Sequence, residues 1–287
     1  MKSRESSIRE LLKRGYEVLK NREIESYALD AQLLLGKVLN KDRLFILLNG
    51  NYEVPEKEAE EYYNYLKLRE NKMPVKYILG HCEFMGIDFI VKPGVLIPRP
   101  DTETLVEQAL IQIKHNNFHN ICDVCCGTGI IGISIAKLIE GINVKCCDIS
   151  STACEVTAEN IRRFSLEEKV QVIKSNLMEY YIQNDVKFHM IISNPPYIKE
   201  SSIPTLMEDV KNYEPREALS GGKDGLEFYR KITKESLKVL ESSGIIMFEI
   251  GYDQRKSVSD ILAQNGFKNI MCIKDLAGKD RVIKGVL

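Results

Sequence analysis

The chain has 287 residues, of which 44% are apolar and 28% charged, with a formal charge of −1 and a pI near 6.5. That length suits two domains, or one large α/β domain with an extension. The near-neutral charge argues against a protein held on nucleic acid by bulk charge, since such domains are usually strongly basic.

The first residues, Met1-Lys2-Ser3-Arg4-Glu5, lead into an amphipathic segment and carry no signal-peptide apolar core. No run approaches the roughly 18 apolar residues of a membrane span. A cytoplasmic location is therefore expected, with the eight cysteines as free thiols. Residues 1–74 read as helical. Ile8, Leu11, Leu12, Tyr16 and Leu19 recur at helical spacing. Ser26 stands where it would cap a second helix carrying Leu29, Leu33, Leu34 and Val38. Asp42 opens a short third helix, Leu44 to Leu48, stopped by Asn49-Gly50. Pro55 opens a charged fourth helix running towards Asn71. Four short helices make a small bundle. The first 22 residues hold seven basic and three acidic side chains, which reads as a solvated face or as a docking surface for an acidic partner or RNA.

Over residues 75–99 the pattern changes. Tyr77-Ile78-Leu79-Gly80 and Ile87-Asp88-Phe89-Ile90-Val91 read as two short strands, a hairpin linking two domains. Pro98 and Pro100 then hold the backbone extended, and Asp101 is placed to cap a helix over Leu105 to Ile113. From residue 119 strands and helices alternate. Strands are expected at 120–124, 143–148, 169–174, 188–193, 244–250, 267–273 and 281–286, and helices at 130–139, 151–163, 226–240 and 254–264. Alternation of this kind predicts a mostly parallel sheet with helices on both faces. Only Lys274 to Asp280 separates the last two strands, too short for a parallel crossover, so they should form an antiparallel hairpin. A parallel sheet closed by one antiparallel strand is the α/β, Rossmann-like pattern of class I methyltransferases.

Three strand ends carry chemistry. After the first comes Cys122-Asp123-Val124-Cys125-Cys126-Gly127-Thr128-Gly129-Ile130, where a glycine turn lets a ligand approach the backbone and a helix N-terminus offers free N–H groups. Cys122-x-x-Cys125 has a zinc-like spacing, but positions i and i+3 on a strand point to opposite faces, so these cysteines read as buried thiols and no metal is expected. The second strand ends in Asp148, placed either to bond ribose hydroxyls or to cap the helix beginning near Ser151. Asp123, just ahead of the turn, suits a cofactor whose end carries an ammonium group and would repel a pyrophosphate, which speaks against a dinucleotide. The fourth strand ends in Asn194-Pro195-Pro196-Tyr197. The two prolines stop the strand and keep Asn194 extended, so the segment is a stiff finger carrying an amide, bare carbonyls and an aromatic ring. By itself it is equally a proline turn with a tyrosine packed on it.

Asp-x-x-x-Gly-x-Gly, Asp148 and Asn-Pro-Pro-Tyr together resemble the signature of S-adenosylmethionine-dependent methyltransferases acting on planar amino or amide nitrogens. Three further stretches narrow the resemblance: Leu96-Ile97-Pro98-Arg99-Pro100-Asp101-Thr102-Glu103; Tyr213-Glu214-Pro215-Arg216-Glu217-Ala218-Leu219 with Gly221-Gly222-x-Asp224-Gly225; and Phe248-Glu249-Ile250-Gly251. With these the chain resembles the HemK/PrmC family, the protein-(glutamine-N5) methyltransferases of peptide chain release factors. The resemblance implies a substrate-recognising helical domain over 1–74, a linker over 75–99 and a methyltransferase domain over 100–287. It implies that S-adenosylmethionine lies against Asp123, Cys125, Cys126, Gly127, Thr128, Gly129, Asp148, Asn176, Leu177 and Asn194, and that Asn194, Pro195, Pro196 and Tyr197 hold the glutamine of a Gly-Gly-Gln motif. The family often has glycine and threonine where this chain has Cys125 and Cys126, and many relatives have aspartate where it has Asn176. The resemblance further implies a monomer with a protein substrate and no membrane or direct nucleic-acid target. A ribosomal-protein glutamine and an amino group on a DNA or RNA base are the alternative targets.

Overall fold

A computed structural model describes residues 6–287. The reading of Met1 to Glu5, and that part of the basic excess, lies outside the described residues. The chain divides into two compact units: one ends at His81 and also takes in Met207–Tyr213, and the other comprises Cys82–Leu206 and Glu214–Leu287.

The first unit is helical: α1 Ile8–Lys20, α2 Tyr27–Leu39, α3 Arg43–Leu48, α4 Glu56–Glu70 and α5 Val75–Leu79. A short antiparallel pair of strands, β1 Ser6–Ser7 and β2 Glu53–Val54, ties the segment before α1 to the segment before α4. Ser7 and Glu10 form a capping box on α1, and the Asp42 carboxylate accepts from the Phe45 N–H at 2.7 Å to cap α3. Leu11, Leu34, Leu35, Ile46 and Tyr62 are fully buried between the helices. Two expectations fail here. Ser26 does not cap α2; its hydroxyl donates to Asp30 Oδ2 at 2.8 Å. Asp30 is buried beside Arg69, also at 2.8 Å, and a buried carboxylate claims every donor within reach. Tyr77 to Leu79 is helix, not strand. Pro74 starts the turn, and Gly80, at φ +82°, ends it in the left-handed conformation that stops helices.

The second unit opens with a hairpin, β3 His81–Phe84 and β4 Ile87–Ile90, whose two-residue turn, Met85-Gly86, has positive φ at both positions. One turn of 3₁₀ helix, Pro100–Thr102, precedes α6 Glu103–Asn116. Asp101 therefore does not cap α6. Its carboxylate lies 2.8 Å from the Arg281 guanidinium, a buried cation that needs acceptors. The alternation that follows is β5 Asn120–Val124, α7 Ile130–Leu138, β6 Asn143–Asp148, α8 Ser151–Arg163, β7 Val170–Lys174, α9 Glu179–Gln183 and β8 Phe188–Ser193. After α10 Glu208–Tyr213, which belongs to the first unit, come α11 Arg216–Leu219, α12 Glu227–Val239, β9 Leu240–Glu249, α13 Arg255–Gln264, β10 Lys268–Lys274 and β11 Asp280–Val286.

The seven strands form one sheet in the order β10-β11-β9-β8-β5-β6-β7. Only β11 runs against its neighbours, as the short connection requires. Side chains alternate between two cores. Ile121, Val144, Met190, Ile192, Ile245 and Met247 face α6, α7 and α8; Cys122, Cys147, Ile191, Ile246 and Phe248 face α9, α12 and α13. Each such side chain taken wholly from water contributes about 1.5–3 kcal/mol. The chain leaves β5 towards β6 on one side and returns as β8 on the other. The carboxyl ends of β5 and β8 thus flank a topological switch point, where open α/β sheets bind ligands.

Candidate active site

Each parallel strand delivers a polar residue to this edge. At the end of β5, Cys125 sits at φ +59° and Gly127 at φ +57°. A Cβ on Gly127 would meet nothing within 4 Å, so its backbone stands bare. The turn is braced from α8: Thr157 Oγ1 donates to the Gly127 carbonyl at 2.9 Å and Asn160 Nδ2 to the Thr128 carbonyl at 3.0 Å. At the end of β6, Asp148 closes the turn from the other side. Its Oδ2 accepts from Gly127 N–H and its Oδ1 from Ser150 N–H, both at 2.9 Å. The cap of α8 is Ser150, not Asp148. Each Asp148 oxygen keeps a lone pair for a further donor. Asn176 and Leu177 follow β7, with Leu177 at φ +51°. Asn194 follows β8, and its Nδ2 donates to Thr102 Oγ1 at 3.3 Å.

These ends enclose a cavity of about 330 Å³, within the range of small-molecule sites. Of the residues anticipated from the sequence, Cys125, Cys126, Gly127, Thr128, Asp148, Asn176, Leu177, Asn194 and Pro196 line it; Asp123, Gly129, Pro195 and Tyr197 do not. Asp123 is fully buried behind the turn. Its Oδ2 accepts from Gly132 N–H at 2.9 Å, while Oδ1 has no partner, and burial pushes its pKa up to about 7. It ties the first turn of α7 to the sheet. Tyr197 packs into the core beneath, and its hydroxyl donates to Glu249 Oε1 at 3.4 Å.

Charge on the cavity wall is sparse. Burial raises the Asp148 carboxyl, against the pull of the Ser150 and Gly127 N–H groups. Burial likewise pushes the Cys125 thiol well up; Cys126, in thiol–thiol contact with Cys146, and Cys147, in the same contact with Cys122, are free thiols held up by those contacts and by burial. All three thiols are neutral at pH 7.

The Asn-Pro-Pro-Tyr backbone is held from outside by the glycine-rich stretch. Ile198 N–H donates to the Leu219 carbonyl at 2.9 Å, and Gly221 N–H returns to Ile198 at 2.8 Å. Gln254 Nε2 donates to both the Tyr197 and Gly225 carbonyls at 3.1 Å. Gly225 is at φ +76°, and a Cβ there would stand 2.5 Å from the Tyr197 carbonyl oxygen, so only glycine fits. Gln254, Thr157 and Asn160 had no motif to mark them. Thr157 and Asn160 did leave one signal, as polar residues on the same stripe of α8 as Ala153, Val156 and Ile161.

The donor set fits S-adenosylmethionine. Asp148 has spare acceptor capacity for ribose hydroxyls, Leu177 gives an apolar flank for the adenine, the Gly127 backbone is open to close approach, and the neutral thiols do not compete for a cation.

Comparison with known proteins agrees with this geometry. A family model described as the PrmC N-terminal domain matches residues 10–80, and one described as a methyltransferase small domain matches residues 100–212. The release factor glutamine methyltransferase of Clostridium botulinum is 57% identical over 277 residues, covering 96% of this chain and 98% of its own. That of Clostridium acetobutylicum is 49% identical over 97% and 98%, and that of Aquifex aeolicus 37% identical over 93% of each. Among solved structures, the hMettl16 catalytic domain in complex with MAT2A 3'UTR hairpin 6 aligns with a TM-score of 0.57 over 83% of this chain and 84% of that one. Its 15% identity shows a shared fold alone. A class I sheet with this site at its switch point, and relatives of this identity along nearly the whole length, lead to one conclusion: the chain belongs to the HemK/PrmC family of release factor glutamine methyltransferases.

Proposed function

We propose that the chain transfers a methyl group to the side-chain amide nitrogen, N5, of the glutamine in the Gly-Gly-Gln motif of peptide chain release factors, in support of translation termination. The observation that carries this reading is that Asn194 and Pro196 share one cavity with Asp148 and the glycine turn, so an amide clamp faces a nucleoside site. When bound, S-adenosylmethionine supplies an electrophilic methyl group on a sulfonium.

An amide nitrogen is a poor nucleophile because its lone pair is delocalised into the carbonyl. Asn194 Oδ1 and the Pro195 carbonyl each accept one N–H of the substrate amide. With both hydrogens held, the nitrogen lone pair is aimed at the methyl group. Such positioning lowers a barrier by roughly 7–11 kcal/mol in favourable cases. The same two oxygens stabilise positive charge as it develops on nitrogen. No strong base is required, because an N-methylated, protonated amide is itself very acidic. Tyr197 supports the clamp from behind through its hydroxyl. Asp148 would hold the ribose, Asn176 would accept from the adenine amino group through its side-chain oxygen, and Leu177 would pack on the ring.

The helical unit recognises the protein substrate in this reading. The enzyme acts in the cytoplasm as a monomer and has no direct nucleic-acid target, which suits a net charge of −1. Among the described residues no helix is long and apolar enough to cross a membrane. The test is to incubate the protein with labelled S-adenosylmethionine and, separately, with release factor, ribosomal protein and DNA. Label on the release-factor glutamine is the expected result. Label only on nucleic acid, or only on the ribosomal protein, overturns it.

A further inference from the structure

Two residues beside the clamp, Thr102 at the cavity wall and Glu249 behind it, have had no part in the chemistry so far. Thr102 lies on the 3₁₀ turn before α6, and Glu249 ends β9. Both are buried, with 1% of their surface exposed. Taking the proposed function as given, we propose that Thr102 and Glu249 are positioning residues that fix which way round the Asn194 amide stands, so that Oδ1 rather than Nδ2 faces the substrate.

The need for such a device follows from the side chain itself. An asparagine amide presents an acceptor on one edge and a donor on the other, and the two orientations have nearly the same shape. Only the Oδ1-inward orientation can accept an N–H from the substrate amide. The reverse would set donor against donor. Asn194 Nδ2 donates to Thr102 Oγ1 at 3.3 Å, which is the productive orientation. A threonine hydroxyl can itself donate or accept, so Thr102 alone does not decide the matter.

Glu249 removes the ambiguity. An ionised carboxylate only accepts. One of its oxygens, Oε1, takes the Tyr197 hydroxyl at 3.4 Å, and the other, Oε2, is buried without a donor at ordinary hydrogen-bond geometry. Thr102 is near enough to Glu249 to favour its ionised form, though outside ordinary hydrogen-bond geometry, and the unpartnered Oε2 is an acceptor open to its hydroxyl. With its proton turned to Glu249, Thr102 keeps only lone pairs for Asn194, and these select Nδ2. On this proposal one carboxylate serves both functional ends of Asn-Pro-Pro-Tyr: it accepts directly from Tyr197 and sets the Thr102 proton that faces Asn194.

The surroundings make this arrangement depend on pH. Burial raises the Glu249 carboxyl to about 7; Arg281 on β11 opposes the rise and Asp101 on the 3₁₀ turn adds to it. Tyr229 on α12 donates to the Glu249 backbone carbonyl at 2.9 Å, and its own hydroxyl is pushed well up by burial, so it stays neutral. A proton on Glu249 lets that carboxyl donate to Thr102, whose hydroxyl can then donate to Asn194 Oδ1 and turn the amide round.

The experiment compares wild type, Thr102→Val, Thr102→Ser and Glu249→Gln in methyl transfer to full-length release factor, with kcat and each KM measured across pH. Thr102→Val is expected to lower kcat roughly 10- to 100-fold, as misplacement of a reacting group does, with both KM values within about twofold. Thr102→Ser, which keeps the hydroxyl, should hold kcat within about threefold of wild type, and kcat of wild type should fall as pH drops through about 7 while that of Glu249→Gln stays low and flat. A Thr102→Val enzyme with wild-type kcat, an equal loss in Thr102→Ser, or a loss confined to cofactor KM would overturn the proposal. Should Thr102→Val fail the circular-dichroism check of folding, the Glu249→Gln profile decides, and a wild-type profile sinks the idea. Wild type that leaves release factor unlabelled removes the proposed substrate instead, and the same comparison then runs on whichever substrate takes the label.

Discussion

The carboxyl ends of β5 and β8 are neighbours in the sheet and line one cavity, yet they are built on opposite plans. The end of β5 is a backbone device. Its turn holds three residues at positive φ, Cys125, Gly127 and Gly129, and is fastened through main-chain atoms: Gly127 N–H to Asp148, Gly127 carbonyl to Thr157 and Thr128 carbonyl to Asn160. The end of β8 is a side-chain device. Two prolines remove main-chain donors, and beside the backbone contacts of Tyr197 and Ile198 the side chains of Asn194 and Tyr197 are held by Thr102 and Glu249. A backbone site tolerates changes of side chain that keep the turn, and Cys125 and Cys126 sit in such a turn. A side-chain site does not.

The largest expected effect falls on the side-chain end. Asn194→Ala should lower kcat by a hundred- to a thousand-fold or more, the scale seen when one group that stabilises a transition state is removed. Its cofactor affinity, measured by calorimetry, should stay close to wild type. A wild-type transfer rate would break the comparison. Asp148→Ala should do the reverse and weaken cofactor binding by about 10- to 100-fold, the worth of one or two hydrogen bonds to a charged group. Unchanged affinity in the same calorimetric titration would take Asp148 out of the site. Gly225→Ala drives a Cβ into the Tyr197 carbonyl and holds a side chain at φ +76°. We expect a loss of about 1–3 kcal/mol in urea denaturation together with a reduced kcat, because the clamp must shift to relieve the contact.

Two smaller effects sharpen the contrast on the β5 side. Asp123 is protonated in the folded chain up to about pH 7, whereas in the unfolded chain it loses its proton near pH 4. The folded state therefore binds the extra proton between those values, and stability falls as pH rises through that window. Asp123→Asn should flatten the fall, so that between pH 5 and pH 8 the variant loses less in Tm than wild type; parallel curves would count against it. Cys125→Gly relieves a left-handed residue but adds freedom to the unfolded chain, and these terms nearly cancel. A change in unfolding free energy below about 1 kcal/mol is expected, with cofactor affinity intact.

Much of the sheet was legible because its period is strong. The apolar runs ending in Val124, Asp148 and Ser193 are strands with the boundaries anticipated. The short elements were less so. Tyr77-Ile78-Leu79 is apolar at every position and fits strand or helix; what decides it is the pair of stops, Pro74 and Gly80. Ser26 and Asp101 carry capping chemistry, but buried charges elsewhere, Arg69 acting through Asp30 and Arg281 on Asp101, draw them away. Sequence spacing cannot register a partner 39 or 180 residues off. The site follows the same rule. Cys125 to Thr128, Asp148 and Asn194 were visible as local motifs, and the structure brings them to one wall. Asp123 and Tyr197 belong to the same motifs but stand behind that wall, because a strand sends alternate side chains to opposite faces and a proline finger turns its last ring inward. Thr102 and Glu249 were within recognisable stretches, but their connection exists only once β8, β9 and the turn before α6 are assembled.

The three thiols on the cavity wall have one more consequence. A thiolate is the reactive form of cysteine, and a thiolate facing an electrophilic methyl group would compete with the substrate for it. Burial and thiol–thiol contacts keep Cys125, Cys126 and Cys147 protonated. With S-adenosylmethionine bound in this cavity as proposed, neutral thiols would be weak nucleophiles towards its methyl group, and self-alkylation would be slow.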